Sequence, residues 1–478
     1  MFLFFEEIEE RIFLQNNNYK IIFKHFFKNM KYFFTSLLYL IIFVKAKKVV
    51  FIEDNFTKKG KINGIIHFIN CGQADCILIE QNGRFGLIDA GMPYSQATDV
   101  VESTGKGGVN NPDRSVQAVV NYLKYLGVTH LDFVLGTHAH SDHIGGIPQI
   151  AYHFVDKKTI YLYKQYRKTK ENNEDYFIAA YNSMKIKGAQ LIDLTDNQYE
   201  FNFGEIHFEF INTNIHKKET KYGENINSIG TIITYHNKKL FLASDLQKED
   251  DLIYKDYIGK IDLLKMSHHG YGDTSFEFLN ITRPNITIIT NYIFPSLSII
   301  PAAFLQQKVG GKVYYVGGVS TTSENVANSA IRLYLYENVF DTSKETKYSL
   351  YIENSGDNYD VGNNINGFKT YQYYTFYFEN GKIITGLQEI LKDGEKHVFY
   401  FKEEGVMAVG WQIIEKDDVE NMYYFNKKGF MLFGLQKLEG EQGICQYYFE
   451  SDGHMIKDAC IMLNEKESCF DKIGCYIG

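Results

Sequence analysis

The chain has 478 residues, 45% of them apolar and 23% charged. A single core seldom grows past roughly 250 to 300 residues, so at least two domains are expected, and this balance excludes both a wholly disordered chain and a multi-span membrane protein. Lys plus Arg number 50 against 58 Asp plus Glu, a net charge of -8 that excludes a large basic footprint for nucleic acid or anionic membrane.

In chain order, the first signal is a secretory one. Met30-Lys31-Tyr32 is followed by an apolar run over 33–44, and Val44-Lys45-Ala46 places small or apolar residues where a signal peptide is cleaved. The run falls short of the roughly 20 residues that span a bilayer as a helix. Residues 30–46 are therefore expected to be a signal peptide, and 1–29 an upstream segment left untranslated if synthesis begins at Met30.

From about residue 62, short β-rich runs alternate with turns. Strands are predicted over 65–69, 76–80 and 85–89, separated by Gly72-Gln73-Ala74-Asp75 and Asn82-Gly83. Val116, Val119, Val120, Leu123 and Leu126 share one face of a helix over 115–126, closed by Gly127. A buried strand over 131–135 then runs into Gly136-Thr137-His138, and further strands are predicted at 206–211, 231–235, 239–243, 261–266, 286–290 and 312–316. The pattern is that of an α+β layered domain over 62–350 with its loops gathered at one edge.

The Gly- and Asn-rich stretch that follows predicts a linker over 355–369. Beyond it, over 370–478, the chain repeats: glycines 381, 405, 429 and 453 lie 24 residues apart, each preceded by Tyr-Phe, at Tyr377-Phe378, Tyr400-Phe401, Tyr424-Phe425 and Tyr448-Phe449. Gly386-Leu387-Gln388, Gly410-Trp411-Gln412 and Gly434-Leu435-Gln436 follow the first three, and Asp458 takes that place in the last. A fixed period with an aromatic pair and a turn glycine per unit predicts a solenoid of β-hairpins, each too small to bury its own face. Removing 370–478 is accordingly expected to spare activity on a small soluble substrate. No Cys-x-x-Cys pair occurs; Cys445, Cys460, Cys469 and Cys475 crowd the tail, as two disulfides with three connectivities open or as buried free thiols.

The chemistry-bearing residues stand where apolar strands end. Thr137-His138-Ala139-His140-Ser141-Asp142-His143-Ile144-Gly145-Gly146 packs three histidines and an aspartate into six positions, which is metal-ligand composition. Lys239-Leu240-Phe241-Leu242-Ala243-Ser244-Asp245, Leu264-Lys265-Met266-Ser267-His268-His269-Gly270 and Leu87-Ile88-Asp89-Ala90-Gly91 repeat the strand-then-ligand architecture. Each alone is weak, but four such strand ends are what one shared metal site requires.

With His138, His140, Asp142 and His143 in the spacing His-x-His-x-Asp-His, residues 62–350 resemble the metallo-β-lactamase fold superfamily. The resemblance implies an αβ/βα sandwich with two zinc ions at the edge of its sheets, or manganese or iron in their place. By it His138 and His140 hold one ion, Asp142 and His143 the other, and Asp245 bridges them. One of His268 and His269 completes a shell, His269 being the expected ligand, and the other of the pair is left to stabilise charge on a phosphoryl oxygen. Asp142, Asp245, His268 and His269 form the catalytic set, and Asp89 orients a ligand from behind. Where a further histidine is usual, this chain has Asn225-Ile226-Asn227-Ser228, similar to the subgroup of DNA-uptake competence proteins and phosphorylcholine esterases. Two ions in such a site activate water for hydrolysis without a Ser, Cys or Lys nucleophile.

The repeats resemble choline-binding and cell-wall-binding repeats, in which aromatic cages hold a quaternary ammonium by cation–π attraction. Tyr377, Tyr400, Trp411, Tyr424 and Tyr448 are the residues offered for choline or sugar rings. Together these features imply a secreted or cell-surface phosphodiesterase of the phosphorylcholine esterase type, anchored by its repeats to teichoic acid, choline or a glycan polymer. No nucleic-acid partner and no membrane span after signal removal are expected. The alternatives are an extracellular nuclease of the competence type, and an adhesin whose metal site is vestigial.

Overall fold

The computed structural model describes residues 50–51, 60–93, 114–166, 173–214, 223–319, 325–338, 347–353, 365–416, 419–440 and 443–478. The signal-type segment, the residues before it and most of the expected linker lie outside them. Among the described residues no helix is long and apolar enough to cross a membrane.

Two mixed sheets face each other. The first has nine strands, with Gly60–Ile69, Ile77–Gln81 and Arg84–Ile88 running antiparallel in its middle. Arg84–Ile88, Phe133–Leu135, Ile160–Tyr163 and Gln190–Asp193 then continue in parallel. The second has seven strands, in which Lys238–Leu242, Leu263–Lys265, Ile286–Ile289 and Lys312–Tyr315 are parallel. Alternate residues of a strand face opposite ways. Ile66, Phe68, Ile77 and Ile79 of the first sheet thus meet Phe208, Ile233, Leu240 and Leu242 of the second in one buried layer. The opposite faces are covered by helices. Val116–Tyr125, Ile147–Phe154 and Glu174–Ile186 lie on the first sheet, and Lys248–Ile258, Phe276–Thr282 and Ile299–Phe304 on the second. The result is an αβ/βα sandwich, followed by small antiparallel hairpin sheets.

The strands and the helix expected from the sequence form within a few residues of the expected bounds. Ala330–Asn338 and Lys347–Glu353 are two further strands of the nine-stranded sheet beyond those expected, although Ile331, Leu333 and Leu335 alternate regularly into its core.

Hairpins Gly386–Lys392/Glu395–Phe401, Gly410–Lys416/Val419–Phe425, Gly434–Gly440/Gly443–Phe449 and Ala459–Leu463/Lys466–Phe470 follow one another. Each is stitched to the one before: the amides of Met431, Met455 and Tyr476 donate to the carbonyls of Val398, Met422 and Gln446. The turn glycines take positive φ, 84° at Gly429, which favours glycine there, and Met407 Sδ packs over its Cα side. The disulfides are Cys445–Cys475 and Cys460–Cys469, the latter joining directly opposed residues of the last hairpin. Cys71 and Cys76 are free and buried.

The first hairpin corrects the expected boundary. Gly367–Tyr371 is already a strand inside the expected linker, paired with Tyr374–Glu379. Its Tyr371, Phe376, Phe378 and Ile383 are buried in the same cluster as Phe276, Phe278 and Phe304 of the sandwich. Gln307 ties it further, donating to Gly381 O and accepting from Ile383 N, both at 2.8 Å. Burying one such side chain is worth about 1.5–3 kcal/mol. Deletion of 370–478 therefore removes more than about 5 kcal/mol, against a whole-domain stability of about 5–15 kcal/mol. We expect that variant to lose cooperative unfolding by calorimetry, and deletion of 386–478 to retain it; a stable domain ending at 369 would contradict this assignment.

Candidate active site

The carboxyl ends of the parallel strands of both sheets open at one edge, where ligands bind in open α/β sheets. Arg84–Ile88 delivers Asp89, Phe133–Leu135 leads to His138, Lys238–Leu242 to Asp245, and Leu263–Lys265 to His268 and His269. The backbone bends sharply there: Asp89, Ser244, His268 and His269 hold φ of 55°, 49°, 46° and 50°. Left-handed residues with side chains are costly and collect at functional sites. Backbone bonds lock the loops together, from Ala90 N to His143 O at 2.7 Å, Asp75 N to Asp142 O at 3.1 Å and His268 N to Ser244 O at 2.9 Å. Gly146 permits this closeness, since a Cβ on it would lie 2.3 Å from Ala90 O.

Two groups of side chains converge. His138, His140 and Asp245 form one, with His138 Nε2 3.0 Å from His140 Nδ1 and 3.9 Å from Asp245 Oδ2. Asp142, His143 and His269 form the other, with His269 Nε2 3.2 Å from Asp142 Oδ2. Asp245 stands between them, its Oδ1 3.2 Å from His143 Nε2 and 3.6 Å from His269 Nε2. Asp89 lies behind: its Oδ2 is 2.8 Å from His143 Nδ1, and it accepts from Thr137 N at 2.9 Å and Thr137 Oγ1 at 2.7 Å. His268 sits apart, half-exposed, its Nδ1 hydrogen-bonded to Asp273 and its Nε2 3.7 Å from Asp245 Oδ2. Asn225 has its Nδ2 3.3 Å from His268 Nε2.

Three residues that the sequence reading assigned no role belong to the same constellation. Asp75 is buried, ion-paired to Lys265, 3.2 Å from His269 Nδ1 and bonded to Thr290 Oγ1. Lys265 is fully buried and also donates to Ser244 O at 2.9 Å. Asp273 holds His268. The signal for Lys265 was present, because a lysine inside an apolar strand is almost never buried unless paired.

The charges explain the titration. Burial works against ionisation of Asp245, but His143 and His269 hold it well below the usual carboxylate range. Burial likewise opposes Asp75, and Lys265 and His269 bring it down. His269 resists burial through Asp245 and Asp75 and is pushed up to about 9, and His143 rises for the same kind of reason. His138 falls well below the ordinary value because it is buried and faces His143 and His140. Asp89, Asp75 and Asp245 are buried and Asp142 half-buried, and among the described residues Lys265 is the one lysine or arginine ion-paired with them. A cluster so rich in carboxylates is compensated by cations or by protonated histidines.

The donors fit divalent ions. His143 Nε2, Asp245 Oδ1 and His269 Nε2 are buried without hydrogen-bond partners, and all three point into the same space. Orphaned buried acceptors are expensive unless something binds them.

A four-layer sandwich that gathers these groups at its sheet edge defines a metal-dependent hydrolase. The family pattern of the metallo-beta-lactamase superfamily matches residues 69–289, and the chain belongs to that superfamily. It is 30% identical over 197 residues to a UPF0173 metal-dependent hydrolase of Enterococcus faecalis, an alignment covering 39% of this chain and 80% of that one. It is 24% identical over 253 residues to Recombination protein 2 of Haemophilus influenzae, covering 51% of this chain but 27% of that one. The choline binding domain of Spr1274 in Streptococcus pneumoniae is similar over 15% of this chain and 84% of that one, at 21% identity and a TM-score of 0.12.

The five aromatics offered for ligand binding in the repeats are half-buried. Tyr377 packs 4.8 Å from Phe368 and Tyr400 6.1 Å from Phe425; Trp411 lies 5.0 Å from Tyr424, and Tyr448 6.2 Å from Phe470. The fully buried positions are their neighbours, Phe378, Phe401, Phe425 and Phe449.

Proposed function

We propose that the chain is a secreted binuclear zinc phosphodiesterase of the phosphorylcholine esterase type, acting on cell-wall or surface polymers that its repeats engage. The observation that carries this reading is Asp245, set between two groups of histidine and aspartate donors with its Oδ1 buried between His143 and His269 and without a well-formed hydrogen bond. His138, His140 and Asp245 would hold one ion, and Asp142, His143, His269 and Asp245 the other. Bound there, a pair of divalent ions supplies Lewis acidity and a hydroxide at neutral pH. The chain's own groups do the rest. Asp89 fixes the ring of His143 through Nδ1, and Asp273 fixes His268 through Nδ1 with its Nε2 toward Asp245 and Asn225. From there His268 donates to a phosphoryl oxygen as charge builds on it. The half-buried rings of Tyr377, Tyr400, Trp411, Tyr424 and Tyr448 support contact with a choline head group or a sugar face at the seams between hairpins.

The test is hydrolysis of p-nitrophenylphosphorylcholine by the full-length chain, with metal content measured on the same sample and a chelated control. Turnover that needs about two metals per chain is the expected result. Bound metal without turnover on this ester, together with cleavage of single-stranded DNA, would replace the choline ester by a nucleic acid.

A further inference from the structure

The first hairpin does more than pack. Its tip is Gln372-Tyr373, where Gln372 holds φ of 55° as the two-residue turn between Tyr371 and Tyr374 requires. The tip lies against the 272–276 loop of the sandwich. Gln372 Nε2 donates to Thr274 O at 2.9 Å and to Gly272 O at 3.3 Å, while its Oε1 accepts from Phe276 N at 3.4 Å. The hydroxyl of Tyr371, buried beside it, donates to the same Thr274 carbonyl. That loop leads straight back to the site: Thr274 Oγ1 accepts from Ser267 N at 3.3 Å, and Asp273 is hydrogen-bonded to His268 Nδ1. Burial accounts for the bond of the Tyr371 hydroxyl, but the three bonds of the part-buried Gln372 are additional to the anchoring by Phe276, 4.9 Å from Tyr374 and 5.4 Å from Phe376.

We propose that the tip of the first repeat hairpin is a positioning element of the hydrolytic centre. Tyr371 and Gln372 hold the 272–276 loop, the loop holds Asp273, and Asp273 holds the ring of His268 toward Asp245. Neither Tyr371 nor Gln372 touches the reacting groups. The kinetic part of this inference rests on the hydrolytic reading above; the mechanical part does not.

The full-length chain with Gln372→Gly tests it, because glycine accepts the left-handed backbone while removing all three side-chain bonds. The melting temperature is expected to hold or rise. In the metal-free protein, amide exchange across 268–276 is expected to quicken about tenfold, with exchange elsewhere unchanged. With metal present, kcat is expected to fall about 10- to 100-fold with KM within about twofold, as a displaced catalytic group produces. Gln372→Gly combined with Asp273→Asn should lose little beyond Asp273→Asn alone, since both act through one chain of contacts. Tyr373→Ala, at the same tip but 83% exposed and not bonded to the loop, should leave both readouts unchanged. Unchanged exchange in Gln372→Gly would overturn the proposal, and so would faster exchange with unchanged kcat. Absence of turnover in the unaltered chain would instead remove the hydrolytic reading, with the exchange measurement still deciding whether the hairpin holds the loop.

Discussion

Asp245→Ala is expected to lose metal and turnover together, by about 10³-fold in kcat. Its two carboxylate oxygens face both groups of donors, Oδ1 toward His143 and His269 and Oδ2 toward His138 and His268. A divalent ion contributes several kcal/mol of transition-state stabilisation, and each 1.36 kcal/mol is tenfold in rate, which gives that order of magnitude. Metal content by mass spectrometry and the rate at saturating substrate check it on one sample. Retained turnover with retained metal would sink the bridging role. Asp89→Asn is a milder case of the same logic, since Asp89 acts from behind, through the ring of His143 and through Thr137 beside His138.

Lys265→Met should cost about 3–5 kcal/mol of stability in the metal-free protein, the penalty for leaving a buried partner charge uncompensated. Lys265 has no exposed surface, and its ammonium serves Asp75 and the carbonyl of Ser244 just ahead of Asp245. Methionine fills a similar volume without the charge, so the loss is electrostatic and not a cavity. The double variant Lys265→Met/Asp75→Asn should recover much of it, because the stranded carboxylate is then gone. Denaturant unfolding of the single and double variants measures both. A single variant within about 1 kcal/mol of the unaltered chain would show that His269 alone suffices for Asp75.

These two residues show where sequence reading reaches and where it stops. Asp245 was legible because it ends an apolar strand, and strand endings are local in sequence. Asp75 was visible only as part of a turn, because its partner Lys265 comes from the other sheet and no local pattern joins them. The repeat was legible from its period, and so was the aromatic pair. Which member of the pair is buried is a matter of strand register: alternate residues face opposite sides, and Phe378, Phe401, Phe425 and Phe449 took the inner one.

By itself the sequence determined the strand-then-ligand grammar, the His138–His143 cluster, the layered fold class and the hairpin array, because each rests on neighbours a few positions apart or on a fixed period. Tertiary structure alone decided the rest. Of the adjacent pair His268 and His269, the consecutive left-handed turns send the second inward to Asp142 and leave the first half-exposed beside Asp273. The cysteine pairing followed from the register of the last hairpin, which sets Cys460 against Cys469. The boundary between sandwich and repeats moved because the first hairpin buries Tyr371, Phe376 and Phe378 on the sandwich while Phe368 and Tyr377 pack on the next repeat. The first and the last depend on contacts between segments distant in the chain, chosen by the burial and charge pairing available only once the sheets have assembled; the cysteine pairing depends on a hairpin register that spacing alone leaves open.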